Sequence, residues 1–211
     1  MPRQLTEEEK LFCDNCWKKV VHCYGTSTIA CLLAKRLTFW KRILEFCGVS
    51  APPFSAGLAY GIADNPSWQL TLFLVSISSV GFYLLTTWSV LSNWPDQIAK
   101  FYKSEKENRE LSQEFEDLVR QYAVRTISPS DVGCELIKIR EKFEGIDKRD
   151  KKRTDEDTEI FPDRQSLKQY GMRAALRQFR CTCVGCGQVP ENMKPTNCDI
   201  CGNFPKCKWR I

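Results

Sequence analysis

The feature that most constrains this chain is the distribution of its cations. Residues 43–95 contain no Lys or Arg, although the 211 residues of the chain include 31 of them. Glu45 and Asp64 are the acidic residues of this stretch. A soluble domain covers its surface with charge, most often with Lys and Arg. The stretch therefore predicts two membrane-spanning helices joined by a tight turn.

The predicted spans are the uncharged runs 46–63 and 69–93. At about 1.5 Å per residue, the first run covers roughly 27 Å, close to the hydrocarbon thickness of about 30 Å. Pro52 and Pro53 are expected to kink or break the first helix near its start. An alternative that the sequence leaves open is a buried helical hairpin within a soluble α-helical domain.

The flanking charges predict how this hairpin is oriented. The cations closest to the hairpin lie on its two outer flanks, and the connecting turn has none: Lys35, Arg36, Lys41 and Arg42 before the first span, and Lys100, Lys103 and Lys106 after the second. The positive-inside rule then places both termini in the cytoplasm, with the hairpin in the lipid bilayer. Gly57 and Gly61 form a GxxxG motif, which allows close helix contact and favours a homo-oligomer.

The most specific chemical signal is a pair of CxxCG motifs near the C-terminus. Cys183 and Cys186 form the first motif, and Cys198 and Cys201 form the second after eleven intervening residues. Two such knuckles supply four thiolates to one metal, and the pattern predicts a structural Zn²⁺ site. A rubredoxin-like iron site is the alternative. A closed four-cysteine site leaves no position for catalysis.

The chain has twelve cysteines, and the others carry weaker signals. Cys181 and Cys207 flank the predicted site and are interpreted as spare thiols, although they could extend it. Cys13 and Cys16 lie one helical turn apart, which favours packing on an amphipathic helix over a second metal site that would also use His22 and Cys23.

The predicted fold is an all-α membrane protein: a two-helix transmembrane hairpin with cytoplasmic helical extensions and a small C-terminal zinc-ribbon-like module. A capped helix is expected to begin at Thr6. The predicted segments are a cytoplasmic N-terminal helix (1–42), the transmembrane hairpin (43–95), cytoplasmic amphipathic helices (96–143), a charged linker (144–160), and a basic helix with the Cys₄ module (161–211).

One amphipathic stripe follows the second span, with apolar residues at spacings of four, three and four: Leu111, Phe115, Leu118 and Tyr122. This stripe is expected to pack either on the N-terminal helix of the same chain or on a second subunit.

The C-terminal quarter of the chain is basic. Residues 160–211 carry nine Lys or Arg against three acids. Arg173, Arg177 and Arg180 are expected along one side of the last helix. Three interpretations stay open for them: an ordinary solvated face, contact with anionic lipid, and contact with nucleic acid or an acidic partner.

The sequence disfavours an enzyme. It has one His, and it lacks the HExxH, P-loop, GxSxG and GxGxxG motifs. A cysteine nucleophile would need a base, and His22 has no evident third partner. No catalytic residue and no cofactor-binding residue is predicted.

The order of elements resembles the SLATT proteins, two-helix membrane effectors of prokaryotic conflict systems. The resemblance rests on the hairpin, on the basic residues before it, and on the charged helix around residues 110–115. The spacing from Cys183 to Cys201 is similar to that of the mobilome CxxCx(11)CxxC proteins.

The resemblance implies an antiviral defence effector that oligomerises and disrupts the inner membrane. Its signal would come from a co-encoded partner, either a reverse transcriptase or a nucleotide-second-messenger synthase. The alternative function is a membrane-tethered binding module whose basic zinc-containing tail binds nucleic acid or a protein partner.

Overall fold

The computed structural model describes residues 6–61, 68–91, 93–124, 129–156 and 164–204. Five α-helices account for most of these ranges, in the order α1 (Glu7–Gly61), α2 (Trp68–Leu91), α3 (Trp94–Val124), α4 (Pro129–Glu156) and α5 (Arg164–Gln178). The chain divides into two compact units. Unit 1 comprises Met1–Cys31 and Tyr102–Ile211, and unit 2 comprises Leu32–Phe101.

The first helix begins with the predicted capping box. The Glu9 backbone amide donates to Thr6 Oγ1 at 3.3 Å, and the Thr6 amide donates to Glu9 Oε2 at 2.8 Å. These two bonds satisfy amides that have no partner within the first helical turn. The predicted start of α1 is therefore confirmed.

The core of unit 1 lies between α1, α3 and α4. Its buried side chains are Val20 and Cys23 from α1, Leu111 and Phe115 from α3, and Phe143 and Ile146 from α4. Ser112 Oγ donates to the backbone oxygen of Val20 at 3.1 Å, which ties α3 to α1. The apolar stripe of α3 thus packs on helices of the same chain.

Polar contacts also join α3 to α4. The buried carboxylate of Asp150 accepts hydrogen bonds from Ser104 Oγ and Asn108 Nδ2, both at 2.8 Å. An ion pair also links Arg149 of α4 to Glu107 of α3. Residues 144–156 are therefore part of α4 and not the solvated linker that their charge density predicts. Residues 157–160 of that predicted linker lie outside the described residues.

In unit 2, large apolar side chains of α2 and of the last part of α1 are exposed among those whose burial the structure describes, although Leu33, Leu37 and Leu44 are buried. Many of its large apolar side chains are exposed: Phe46, Val49, Phe73, Ile77, Val80, Tyr83, Leu84, Leu85 and Trp88. α1 continues as a helix through Pro52 and Pro53. In α2, Thr86 and Thr87 turn their hydroxyls back onto carbonyl groups one turn earlier.

The predicted transmembrane hairpin is wrong. Across the described ranges, every helix falls short of the combination of length and apolar character that a membrane span needs. An uncharged run is not necessarily an apolar one, because prolines interrupt 46–63 and hydroxyl groups interrupt 69–93. The same finding contradicts two predictions that depended on the hairpin: the membrane-protein fold class, and the inner-membrane localisation with both termini cytoplasmic. The predicted turn at 64–67 and the side chains of the GxxxG motif lie outside the described residues.

Candidate metal centre

Two short turns after α5 carry the four cysteines. In the first turn the Gly187 amide donates to the backbone oxygen of Cys183 at 2.8 Å, and in the second the Gly202 amide donates to that of Cys198 at 2.8 Å. The same bond thus closes both knuckles. Gly187 has φ +67°, a left-handed conformation that glycine adopts without steric cost. This is the physical reason for the glycine that follows the first CxxC.

The two turns bring the four sulfur atoms together. The Sγ atoms of Cys183 and Cys198 are 3.9 Å apart, as are those of Cys186 and Cys201. All four lie within 4.8 Å of one another. A regular tetrahedron of thiolates about 2.3 Å from a zinc ion has sulfur separations of about 3.8 Å. The two separations of 3.9 Å match this geometry, and the cluster is compact enough for all four thiolates to bind one tetrahedral ion.

α5 holds this cluster through two of its side chains. Arg173 is buried, and its Nε donates to the backbone oxygen of Asn192 at 2.7 Å while its Nη1 donates to that of Cys201 at 3.2 Å. Gln169 Nε2 donates to the backbone oxygen of Asp199 at 2.7 Å. A buried guanidinium beside the thiolates also offsets part of their negative charge.

A close crossing of two helices positions α5 on α1. A Cβ at Gly171 would lie 2.7 Å from the backbone oxygen of Gly25 and 2.8 Å from Ile29 Cδ1. Only hydrogen fits there, so the backbones approach more closely than side chains would allow. Phe179, just after α5, makes edge contacts with Trp17 and Tyr24 of α1.

The thiols of the cluster titrate differently. Backbone amides of Cys201 and Ile200 lower the pKa of Cys198 to about 7, because they donate to its thiolate. Burial raises the pKa of Cys201 well above its usual value. A bound cation would deprotonate all four thiols, since metal ligation requires thiolates.

A family model matches residues 13–204, which is most of the chain; its description is Mobilome CxxCx(11)CxxC protein. The chain belongs to this family. The family's spacing coincides with the Cys183–Cys186 and Cys198–Cys201 pairs. Together with the sulfur cluster, this indicates a four-cysteine metal site. Neither the comparison with curated proteins nor the comparison with solved structures finds a match.

The remaining cysteines divide between packing and partial exposure. Cys13 and Cys16 are buried against Val119 of α3, and Cys23 lies in the main core. Burial raises the pKa of Cys16 to about 11. Cys181 packs beside the cluster without joining its four ligand positions. Cys207 lies outside the described residues.

The sequence grouped three arginines that the structure separates. Arg177 and Arg180 are exposed, as an interaction surface requires. Arg173 is instead 6% exposed and bonded to the knuckles. Sequence analysis also missed Gln169 and the Gly25–Gly171 crossing. A glycine within an otherwise helical pattern was the one available signal of close backbone approach.

Proposed function

We propose that α5 and the cysteine turns form a zinc-stabilised module that binds nucleic acid through its exposed cations. Four thiolates in a tetrahedral arrangement suit zinc, and a closed site of this kind supplies folding free energy rather than catalysis. Cys183, Cys186, Cys198 and Cys201 would hold the ion. A segment of about 40 residues is too short to fold on an apolar core of its own, which explains the need for a metal.

The observation that carries this proposal is the different use of cations within one module. Arg173 is buried and donates hydrogen bonds to the metal turns, so it is not available to a ligand. Four other cations of the module are exposed: Lys168, Arg177, Arg180 and Lys194. The exposed acids among residues 164–204 are Glu191 and Asp199. Three further cations follow in the sequence at residues 205–211. Such an excess attracts phosphates.

Fluorescence anisotropy with labelled oligonucleotides tests the proposal. If three phosphates are neutralised, affinity for a single strand should fall by about tenfold or more between 50 and 200 mM salt. Arg177→Gln should weaken binding and reduce the salt dependence. Lys138→Gln, an exposed cation on α4, is the matched control and should bind like the unaltered chain. The absence of binding at 50 mM salt would refute the proposal.

A second candidate is the antiviral effector role that the resemblance to SLATT proteins implies, exerted by self-association. The exposed apolar side chains of α2 favour it, because contiguous apolar surface commonly marks protein association. A co-encoded reverse transcriptase or nucleotide-second-messenger synthase would be the partner. Phage challenge of cells with and without the chain and its neighbouring gene tests this role, and Leu84→Ser and Ile77→Ser together should abolish protection. Protection that survives both substitutions would contradict it.

A further inference from the structure

A groove of about 810 Å³ lies between α1, α5 and the loop that joins the two knuckles, within unit 1. Its wall includes two tyrosines, two arginines and one acid: Tyr24, Tyr170, Arg177, Arg180 and Glu191. Aromatic rings and guanidinium groups thus share one concave surface. The metal ligands lie outside this lining, so the groove is distinct from the four-cysteine site.

Each of the two tyrosine rings makes an edge contact with a phenylalanine ring. Tyr24 meets Phe179 with ring centroids 5.3 Å apart and planes at 78°. Tyr170 meets Phe204 at 5.6 Å and 81°. Each tyrosine is half-buried and also lines the groove. A ring that is already fixed loses little entropy when a planar ligand stacks on it.

The arginines supply charge at the same surface. Within the described part of the chain, neither Arg177 nor Arg180 forms an ion pair with a carboxylate. Arg180 has φ 52°, the left-handed position that usually carries glycine at the end of a helix. Since an arginine is strained at a position that favours glycine, its side chain is expected to serve ligand binding rather than stability. Glu191 is the acid that faces these cations.

We infer that this groove binds a nucleobase together with its attached phosphate. The inference rests on the proposed nucleic-acid function and names the part of a strand that is recognised. A base would stack on Tyr24 or Tyr170, and the phosphate would meet Arg177 and Arg180. Bases in a duplex are already stacked on one another, so the groove selects single strands. A free nucleotide carries the same chemistry, and the experiment separates the two sources.

The test measures anisotropy with the full-length, metal-loaded chain. The probes are a labelled single strand of about ten nucleotides, its duplex, inorganic polyphosphate without bases, and a mononucleotide as competitor. The unaltered chain should bind the single strand about tenfold more tightly than the duplex or polyphosphate. Replacing both tyrosines, Tyr24→Leu with Tyr170→Leu, should weaken this binding by about tenfold with little change for polyphosphate, and the single variants identify which ring stacks.

Two further variants separate binding from folding. Arg180→Gly should leave thermal stability unchanged or raised, because glycine suits a left-handed residue, and should still weaken binding by about fivefold. Tyr24→Trp should retain binding, because it keeps a stacking surface. Tyr102→Leu, an exposed tyrosine of α3, is the control and should bind like the unaltered chain. Zinc content of every variant reports on folding of the module.

The outcomes distinguish the inference from the function on which it rests. If the chain binds no nucleic acid, the proposed function itself is refuted. If it binds strands but the tyrosine variants and Arg180→Gly bind equally well, the groove assignment alone is overturned. Preference for the duplex would also overturn it. Full competition by the mononucleotide would support the groove and identify a free nucleotide as its ligand.

Discussion

The helices α3 of unit 1 and α2 of unit 2 differ in where their apolar side chains lie. In unit 1, Leu111 and Leu118 of α3 are 0% and 2% exposed, whereas in unit 2 Ile77 and Leu84 of α2 are 54% and 62% exposed. α3 has one apolar stripe and one charged face, so it can pack on its neighbours and still meet solvent. α2 is uncharged on all sides. Apolar composition therefore predicts a helix in both units, but only a one-sided pattern predicts burial.

Metal removal should cause the largest loss of stability, and it should affect the cysteine module of unit 1 rather than the helices packed around Leu111. A structural zinc site contributes on the order of 10 kcal/mol to the folded state of the segment that it organises. Chelation should therefore unfold residues 164–204 while α3 and α4 stay helical. Limited proteolysis with circular dichroism checks this. Cys201→Ser should behave like the chelated chain, and Cys134→Ser, an exposed cysteine of α4, like the metal-loaded one. Equal protease resistance with and without chelator would contradict the account.

Leucine truncation compares the two units directly. Leu111→Ala should cost about 2–5 kcal/mol of stability, because it leaves a cavity in the core of unit 1. Leu84→Ala should change stability by about 0.5 kcal/mol or less, because the side chain is already exposed. Chemical denaturation measures both values. Comparable losses for the two variants would mean that α2 buries the surface that the structure exposes.

Loss of Arg173 should weaken the attachment of the metal turns to unit 1. Arg173→Met keeps most of the apolar stem but removes the donor from the buried backbone oxygen of Cys201, at about 1–3 kcal/mol, and from the part-buried backbone oxygen of Asn192 at a smaller cost. Zinc should then be released at a lower chelator concentration. Arg177→Met provides the control, since Arg177 is exposed at the end of the same helix. If both variants released zinc at the same chelator concentration, Arg173 would not contribute to holding the metal turns.

The helix crossing predicts a smaller effect. Gly171→Ala should destabilise unit 1 by about 1–3 kcal/mol, because its methyl group would overlap the Gly25 backbone and Ile29. Gly145→Ala on α4 meets no atom within 4 Å and should stabilise the chain by up to about 1 kcal/mol. Thermal unfolding should therefore shift in opposite directions. A shift of the same sign in both variants would argue against the close crossing.

The smallest expected effect concerns pH. Burial lowers the pKa of His22 and outweighs the carboxylate of Asp147, whose Oδ1 lies 3.7 Å from Nε2. His22 therefore takes up its proton at a higher pH in the unfolded chain, near pH 6.5, than in the folded chain. As the pH falls below about 6.5 and through the folded pKa of His22, protonation favours the unfolded state and the free energy of unfolding decreases. His22 is half-exposed, which limits the loss to about 0.5 kcal/mol or less. His22→Gln should remove this difference in denaturation curves at pH 7.5 and 5.

Local sequence signals predicted much of unit 1 and of the metal centre. The capping box at Thr6, the stripe from Leu111 and the four cysteines depend on short-range spacing, which the sequence displays directly. The burial of Arg173 could not be predicted, because its partners are backbone oxygens of turns 19 and 28 residues away. Asp150 was assigned to a linker for the same reason, since its burial depends on Ser104 and Asn108 of another helix.

The error in unit 2 has a different origin. The prediction of two spans rested mainly on the absence of charge and on the large apolar residues of 69–93, although proline, glycine, serine and threonine in the same runs are also uncharged. These residues lower the free energy gained on transfer to hydrocarbon without adding any charge to the sequence. A charge count alone therefore could not distinguish an uncharged helix from a membrane span.

The measurement that most directly tests the central claim is the metal content of the purified chain by native mass spectrometry with elemental analysis. The account predicts one zinc ion per chain, and none after replacement of Cys183 and Cys198 by serine. A chain that folds residues 164–204 without any metal, or that holds iron in place of zinc, would contradict it.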